Sequence, residues 1–238
     1  MTKPLADLYL DTLILAPTDG AHGDLETGAW LGRIWPDRAL PMIGVPRLAN
    51  ILHAVRTVID EHVPGDLIET GVWRGGATIL MRAALEAYGG LGRSVWVADS
   101  FAGLPHPDAA TYPHDANDTH HTFAKLAVPI DEVRANFERF GLLDGRVRFL
   151  KGWFRDTLPT APIERLAVLR LDGDIYESTV LALEHLAPKV SSGGFIIIDD
   201  YVSHEPKCGQ AVRDYRAAQG ITAPLVPIDW TGVYWRTE

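Results

Sequence analysis

Residues 169–174 read Leu-Arg-Leu-Asp-Gly-Asp, and residues 196–200 read Ile-Ile-Ile-Asp-Asp. In each stretch a short apolar run ends abruptly in carboxylates. A run that is apolar at successive positions is typical of a strand buried on both faces, as in a parallel sheet covered by helices. Ligands of such sheets bind beyond the carboxyl ends of the strands, so these acids are expected in one crevice rather than in the core.

The alternation of short apolar runs with helical patterns continues on both sides of these stretches, from Pro64 onward. Such alternation predicts an α/β fold with a mostly parallel, doubly wound sheet. The predicted strands are Asp66–Thr70, Ser94–Ala98, Arg146–Leu150, Leu166–Leu171, Gly194–Ile198, Leu225–Pro227 and Val233–Trp235. The predicted helices are Pro46–His62, Ala77–Tyr88, Ile130–Phe140, Tyr176–Leu186 and Pro206–Gln219.

The first part of the chain has a different character. Residues 1–15 have apolar positions near helical spacing, and residues 17–46 are rich in Gly and Pro and are predicted to form an irregular arm or lid. We therefore divide the chain into an N-terminal helical arm and lid, residues 1–63, and a core, residues 64–238.

The composition excludes several classes of protein. The 238 residues are 47% hydrophobic and 22% charged, with a formal net charge of −9. An acidic chain disfavours a large nucleic-acid surface, which needs clustered Lys and Arg. The apolar runs are too short to cross a bilayer, and the first ten residues do not resemble a signal peptide. The single cysteine, Cys208, cannot form an internal disulfide, which favours a cytoplasmic protein. From the charge and the short apolar runs we expect neither nucleic-acid nor membrane partners.

Residues 69–76, Glu-Thr-Gly-Val-Trp-Arg-Gly-Gly, form a glycine-rich turn between a predicted strand and a predicted helix. Such a turn lets the backbone approach a ligand closely, although a tight turn without a ligand is the alternative. Asp99 ends the next strand, where an acid can accept hydrogen bonds from ribose hydroxyls or simply cap a turn. Together they indicate an adenosine-containing cofactor.

Two cofactor classes compete for this turn: nicotinamide dinucleotides and S-adenosylmethionine. Glu69, two residues before Gly71, favours S-adenosylmethionine, because a carboxylate repels a diphosphate and attracts a cationic sulfonium. Trp153 and Phe154, after the third predicted strand, are candidates either to flank the adenine or to pack in the core.

The acids at the two quoted strand ends indicate a metal site. Like charges brought together raise one another's pKa unless a cation intervenes, and oxygen ligands suit Mg²⁺, Ca²⁺ or Mn²⁺. Asp172, Asp199 and Asp200 would form a three-oxygen clamp, which leaves Asp174 free to act as a base. The alternative is that these acids cap helices or lie in solvated loops.

A second group of candidate ligands lies in the loop 112–123. It contains His114, Asp115, His120 and His121, which could form a softer site of the zinc type. The interpretation that we favour is a polar lid over the acceptor pocket, and one of the histidines could instead contact the acceptor or serve as an alternate base.

Five stretches closely resemble the macrocin O-methyltransferase (TylF-type) family. They read PGDLIETGVWRGGATILMRA, VWVADSFAGLP, RLDGDIYEST, GGFIIIDDY and IDWTGVYWR, in the order of the family. The resemblance implies a class I methyltransferase fold, Rossmann-like with seven strands. It also implies O-methylation of a sugar hydroxyl that depends on S-adenosylmethionine and Mg²⁺.

The resemblance also implies roles for individual residues. Asp172, Asp199 and Asp200 would bind Mg²⁺, and Asp174 would be the general base. Met42 and Ile43 would close over the methionine end of the cofactor. The other residues implied at the cofactor are Glu69, Gly71, Trp73, Arg74, Gly75, Asp99 and Ser100. Thr70, at the carboxyl end of its strand, and Trp153, after the third strand, are added as cofactor candidates by their positions.

Several alternatives stay open. The acceptor would be a carbohydrate or a glycosylated small molecule, either an antibiotic deoxysugar or the end of a polysaccharide such as a mannoside. A catechol-type metal-dependent methyltransferase, a non-catalytic S-adenosylmethionine-binding protein and an NAD-dependent oxidoreductase are the competing functions. Relatives often pair through N-terminal elements, so a homo-oligomer is an open alternative to a monomer.

Overall fold

The computed structural model describes residues 31–33, 35–36, 39–202 and 207–238. The predicted helix over residues 1–15 and most of the predicted arm lie outside these residues. Seven strands form one sheet: β1 (Asp66–Thr70), β2 (Val95–Asp99), β3 (Val147–Lys151), β4 (Leu166–Leu171), β5 (Val190–Ile198), β6 (Val226–Pro227) and β7 (Val233–Arg236).

The strand order is β3-β2-β1-β4-β5-β7-β6. The first five strands are mutually parallel, and β7 runs antiparallel to its neighbours β5 and β6. The order reverses direction between β1 and β4, which is the place where doubly wound sheets bind ligands. The predicted class, an α/β doubly wound sheet of seven strands, is confirmed.

Besides five short 3-10 helices, six α-helices accompany the strands in the described part of the chain: α1 (Val45–Asp60), α2 (Gly76–Tyr88), α3 (Ile130–Arg139), α4 (Phe154–Thr157), α5 (Tyr176–Leu186) and α6 (Lys207–Gln219). Their ends agree with the predicted ones within one or two residues. The exception is α4, which was not predicted because a single turn is too short to carry a helical period. None of the described helices has the length and apolar character needed to cross a membrane.

The central strands β1, β2 and β4 and the second half of β5 are buried on both faces, as the apolar runs at 169–171 and 196–198 predict. On one face Leu67 and Phe195 pack with α1, α2 and α3, and on the other face Ile68 and Ile196 pack with α5 and α6. Neighbouring residues of one strand therefore belong to opposite cores. Since α1 packs in the same core as the strands, it anchors the end of the proposed arm; the division at residue 63 stays a prediction.

Candidate active site

One crevice lies over the carboxyl ends of the central strands, where the sequence placed the site. It brings together most of the residues predicted there. These are Met42, Gly71, Trp73, Asp99, Ser100, Trp153, Asp172, Asp174, Asp199 and Asp200. The remaining predicted residues, Ile43, Glu69, Thr70, Arg74 and Gly75, are not part of its lining.

The glycine-rich turn closes the end of β1 against the end of β4. Gly71 has a φ of +84°, and a Cβ added to it would lie 1.7 Å from the carbonyl oxygen of Asp172. Its N–H donates to the carbonyl of Ala98 at 2.9 Å, which ties β1 to β2 as well. Only glycine fits at this position, because a side chain would separate the two strand ends that form the floor of the crevice.

Gly71→Ala is expected to lower the free energy of unfolding by about 3 kcal/mol or more, because it adds a backbone clash to an unfavourable φ. Gly89→Ala is the matched control. Gly89 has a φ of +83° but nothing within 4 Å of the added Cβ. In Gly89→Ala the only expected loss of stability therefore comes from the unfavourable backbone conformation. Urea unfolding of both variants gives the comparison, and equal losses would show that the contact with Asp172 is unimportant.

Asp99 is held rigidly at the wall of the crevice. Its carboxylate accepts the N–H of Val72 at 2.8 Å and the N–H of Phe101 at 2.6 Å. Burial raises the pKa of Asp99, and these backbone donors oppose the rise. The strand end and the glycine-rich turn are therefore joined through one carboxylate, whose predicted contact with ribose stays a prediction.

The three predicted metal ligands do come together. Carboxylate oxygens of Asp172, Asp199 and Asp200 lie within 4.8 Å of one another, and in the described part of the chain no other three His, Cys, Asp or Glu side chains do so. Burial, followed by the negative charge of Asp199, raises the pKa of Asp172 to about 8. Burial, followed by the charge of Asp174, raises the pKa of Asp200 well above its usual value.

Two buried arginines, which the sequence reasoning missed, partly neutralise this cluster. Arg170 is fully buried within β4, and its guanidinium donates to Asp172 at 2.8 Å and also to Glu69 and Asp199. Burial lowers the pKa of Arg170, but the surrounding carboxylates outweigh burial and raise it well above the usual value. An arginine inside an otherwise apolar strand was the signal, because a buried guanidinium needs acids beside it.

Arg47, at the start of α1, is the second of these arginines. It donates to Asp199, and its Nε donates to Asp229 at 2.9 Å. Both oxygens of Asp199 therefore accept from arginines. Arg47 thereby connects α1 and the C-terminal segment to the acidic cluster.

The remaining donors of the cluster fit a divalent cation. Asp200 Oδ2 is buried and has no hydrogen-bond partner among the described residues. Asp172 has one oxygen that Arg170 does not use. An unsatisfied buried carboxylate oxygen is costly, and carboxylates are the ligands that Mg²⁺, Ca²⁺ and Mn²⁺ prefer. The donor set therefore suits a hard cation.

Glu69 lies behind the crevice. It is 1% exposed, and its carboxylate accepts from Arg170 and from the hydroxyl of Thr78. Burial, which Arg170 counteracts, raises its pKa to about 7. Glu69 therefore supports Arg170 and does not itself line the crevice, and its predicted contact with the cofactor stays a prediction.

Asp174 lines the crevice next to the acidic cluster. Its φ of +57° is one that Asp and Asn tolerate better than most residues. Burial raises the pKa of Asp174, and the nearby imidazole of His120 opposes the rise.

Among the described residues, the candidate ligands of the histidine loop do not form a cluster of three ligand atoms, and the zinc-type site stays a prediction. Asp115 accepts the N–H groups of the first two residues of α5, at 2.9 and 2.8 Å. His120 Nδ1 lies 2.7 Å from Asp118 Oδ2, and His114 stacks on Tyr176 with the ring centroids 4.8 Å apart. Asp115, His120 and His114 are therefore engaged with separate partners. His121 packs against His106 with the ring centroids 4.2 Å apart, and its buried Nδ1 has no hydrogen-bond partner among the described residues.

The model of the family described as macrocin O-methyltransferase (TylF) matches residues 16–237. A Streptomyces niveus protein named demethyldecarbamoylnovobiocin O-methyltransferase is 55% identical over 250 residues, which cover 99% of this chain and 95% of that protein.

A Streptomyces olivaceus protein is 51% identical over 249 residues, which cover 99% of this chain and 95% of that protein. It is named 8-demethyl-8-(2,3-dimethoxy-alpha-L-rhamnosyl)-tetracenomycin-C 4'-O-methyltransferase. The solved structure of the O-methyltransferase NovP superimposes with a TM-score of 0.91 at 50% identity, and the match covers 98% of this chain and 99% of that one.

Proposed function

Because the chain belongs to the macrocin O-methyltransferase (TylF) family, we propose that it transfers a methyl group from S-adenosylmethionine to a sugar hydroxyl, with Mg²⁺ held by Asp172, Asp199 and Asp200. The observation that carries the metal part is the buried, unpartnered oxygen of Asp200 within a cluster of three carboxylates. The methyl-transfer part of the proposal is supported by membership of this family.

The chemistry divides between the bound groups and the side chains. S-adenosylmethionine supplies a methyl group already activated by the sulfonium charge, and Mg²⁺ supplies a positive charge that lowers the pKa of a neighbouring hydroxyl. The glycine-rich turn and Asp99 hold the cofactor on one side of the crevice. Asp172 and Asp200 follow β4 and β5, and the acceptor hydroxyl would lie beside the cation that they hold.

Methyl transfer releases the proton of the acceptor hydroxyl, and we assign Asp174 as the base that takes it. On transfer, a bond from the acceptor oxygen to the methyl carbon would replace the carbon–sulfur bond, with S-adenosylhomocysteine as the neutral product and the hydroxyl proton left to be taken up. The hydroxyl proton passes to the Asp174 carboxylate, which lines the crevice without being one of the three clustered acids. Such a positioned base contributes about 10²–10⁴-fold to the rate.

We place the acceptor at the end of the crevice formed by the C-terminal segment. Trp230 lines this end, and its indole N–H donates to the carbonyl of Leu31 at 2.7 Å. The guanidinium of Arg33 lies 5.4 Å from the centre of the same ring system. Aromatic rings and polar groups suit the faces and hydroxyls of a sugar. The names of the two curated relatives support an acceptor that is a carbohydrate or a glycosylated small molecule.

Calorimetric titration with S-adenosylhomocysteine, with and without Mg²⁺, is the first test. Binding is expected in both conditions, because Asp99 and the glycine-rich turn do not belong to the metal cluster. Methylation of a panel of glycosides is then expected to stop when EDTA is added and to resume when Mg²⁺ is restored.

Three outcomes would count against parts of the proposal. Folded protein that binds no S-adenosylhomocysteine would overturn the cofactor assignment. Turnover insensitive to EDTA would remove the metal, and methylation of catechols in preference to every glycoside would replace the acceptor class.

A further inference from the structure

Glu177, in the first turn of α5, has an unused hydrogen-bond acceptor in the crevice. The residue is 3% exposed and lines the crevice. Oε1 pairs with Nη2 of Arg155 at 3.1 Å, whereas Oε2 is buried and has no partner among the described residues. A buried carboxylate oxygen without a donor is costly, so this position calls for a donor from a ligand.

The side chain is held in place from two directions. The backbone N–H of Glu177 donates to Asp115 at 2.8 Å, which fixes the first turn of α5. Arg155 lies in α4, directly after β3, and its guanidinium holds Oε1. Oε2 is therefore the oxygen that stays free for a ligand.

The surroundings of Glu177 define the shape of the ligand. Phe154, which precedes Arg155, and Leu181, one helical turn after Glu177, line the same crevice. Its lining also includes the apolar residues Leu104, Pro105 and Trp153. Several of these follow β2 and β3, whereas Asp199 and Asp200 follow β5, on the other side of the sheet centre. A ligand that runs from Gly71 past Asp99 toward the end of β3 extends away from β5, where Asp199 and Asp200 lie, and Arg155 joins that region to Glu177. Flat apolar walls with one polar acceptor suit a planar heterocycle that carries an amino group.

We propose that Glu177 recognises the nucleobase of the cofactor, with Oε2 accepting a hydrogen bond from the exocyclic amino group of adenine. This inference rests on the proposed function, since it assumes the adenosine cofactor. Glu177 is a specificity-determining residue, because hypoxanthine presents a carbonyl oxygen at the same position and would place two acceptors face to face. Arg155 is a positioning residue that keeps Oε2 directed at the base.

The test compares S-adenosylhomocysteine with S-inosylhomocysteine, which has a carbonyl in place of the amino group at C6 and a proton on N1. The wild-type protein is expected to bind S-adenosylhomocysteine about 100-fold more tightly by calorimetry. In Glu177→Gln the amide can donate to the carbonyl of hypoxanthine, so the ratio is expected to fall to near one or to reverse. Glu184→Gln, an exposed change in the same helix, is the matched control and should keep the wild-type ratio.

The outcomes separate this inference from the proposed function. If the wild-type protein binds neither compound, the adenosine cofactor itself is wrong. If it binds both equally, or if Glu177→Gln folds and keeps the wild-type ratio, then Glu177 does not recognise the base while the methyltransferase assignment stands. An altered KM for the acceptor with an unchanged cofactor ratio would move Glu177 to the acceptor site. Since the wild-type ratio alone can overturn the inference, it stays testable even if the variant fails to fold.

Discussion

Asp174→Asn is expected to lower turnover by about 10²–10⁴-fold and to leave the affinities for S-adenosylhomocysteine and Mg²⁺ nearly unchanged. The amide of Asn cannot take the hydroxyl proton, although it has nearly the shape of the carboxylate. The site also favours this particular substitution, because the φ of +57° at residue 174 is one that Asn tolerates as well as Asp. The fold of the turn after β4 should therefore survive.

The measurement is kcat with a saturating glycoside acceptor, combined with calorimetry for the two ligands. Asp131→Asn is a suitable control, because Asp131 is exposed at the start of α3 and does not line the crevice. Turnover at the wild-type rate would eliminate Asp174 as the base. A collapse of metal or cofactor affinity would instead show that Asp174 binds a ligand.

The strands and their ends were predictable from sequence because burial on both faces leaves a strong local signal. β1 and β4 have the predicted bounds, and each is followed by a turn with Gly or Asp. β5 ends at Ile198 as predicted but begins at Val190 instead of Gly194, because the residues after Val190 are Ser or Gly. The acids after β4 and β5 could be placed in one crevice for the same reason: parallel neighbouring strands end at the same edge of a sheet. The clustering of Asp172, Asp199 and Asp200 follows from that topology alone.

The partners of the acids could not be predicted in the same way, because they depend on register and on long-range packing. Glu69 and Arg170 are aligned in the pairing of β1 with β4, more than a hundred residues apart in sequence. Nothing in the local pattern around Glu69 distinguishes an acid that faces a cofactor from one that neutralises a buried arginine. Arg47, at the start of α1, is separated from Asp199 by a still longer stretch of sequence, 152 residues. Their contact requires the helix to pack against the sheet.

Glu177 illustrates a different limit. The sequence stretch RLDGDIYEST drew attention to its aspartates, whereas a glutamate in the first turn of a helix is an ordinary helix-stabilising residue. What distinguishes Glu177 is its burial together with one unpaired oxygen, and both properties appear only after α5 has packed against α4.

These contacts decide which acid gives the clearest test of the metal. Both oxygens of Asp199 accept from buried arginines. Asp199→Asn would therefore leave Arg47 and Arg170 poorly compensated, at a cost of about 3–5 kcal/mol in the free energy of unfolding. Loss of activity in that variant would not distinguish a lost metal ligand from a damaged fold. Asp200 has an unpartnered oxygen, so Asp200→Asn removes a proposed ligand without breaking an ion pair of the described residues.

Asp200→Asn is expected to weaken Mg²⁺ binding by about 100-fold or more and to abolish turnover at Mg²⁺ concentrations that saturate the wild-type protein. Without metal, the variant should be at least as stable as the wild-type protein, because one of several clustered like charges has been removed. Thermal unfolding with and without Mg²⁺ measures both effects. At a Mg²⁺ concentration of 100 times the wild-type Kd, binding raises the free energy of unfolding of the wild-type protein by about 2.7 kcal/mol. At the same concentration the free energy of unfolding of the variant should hardly change. A variant that Mg²⁺ stabilises as much as the wild-type protein would show that Asp200 is not a ligand of the metal.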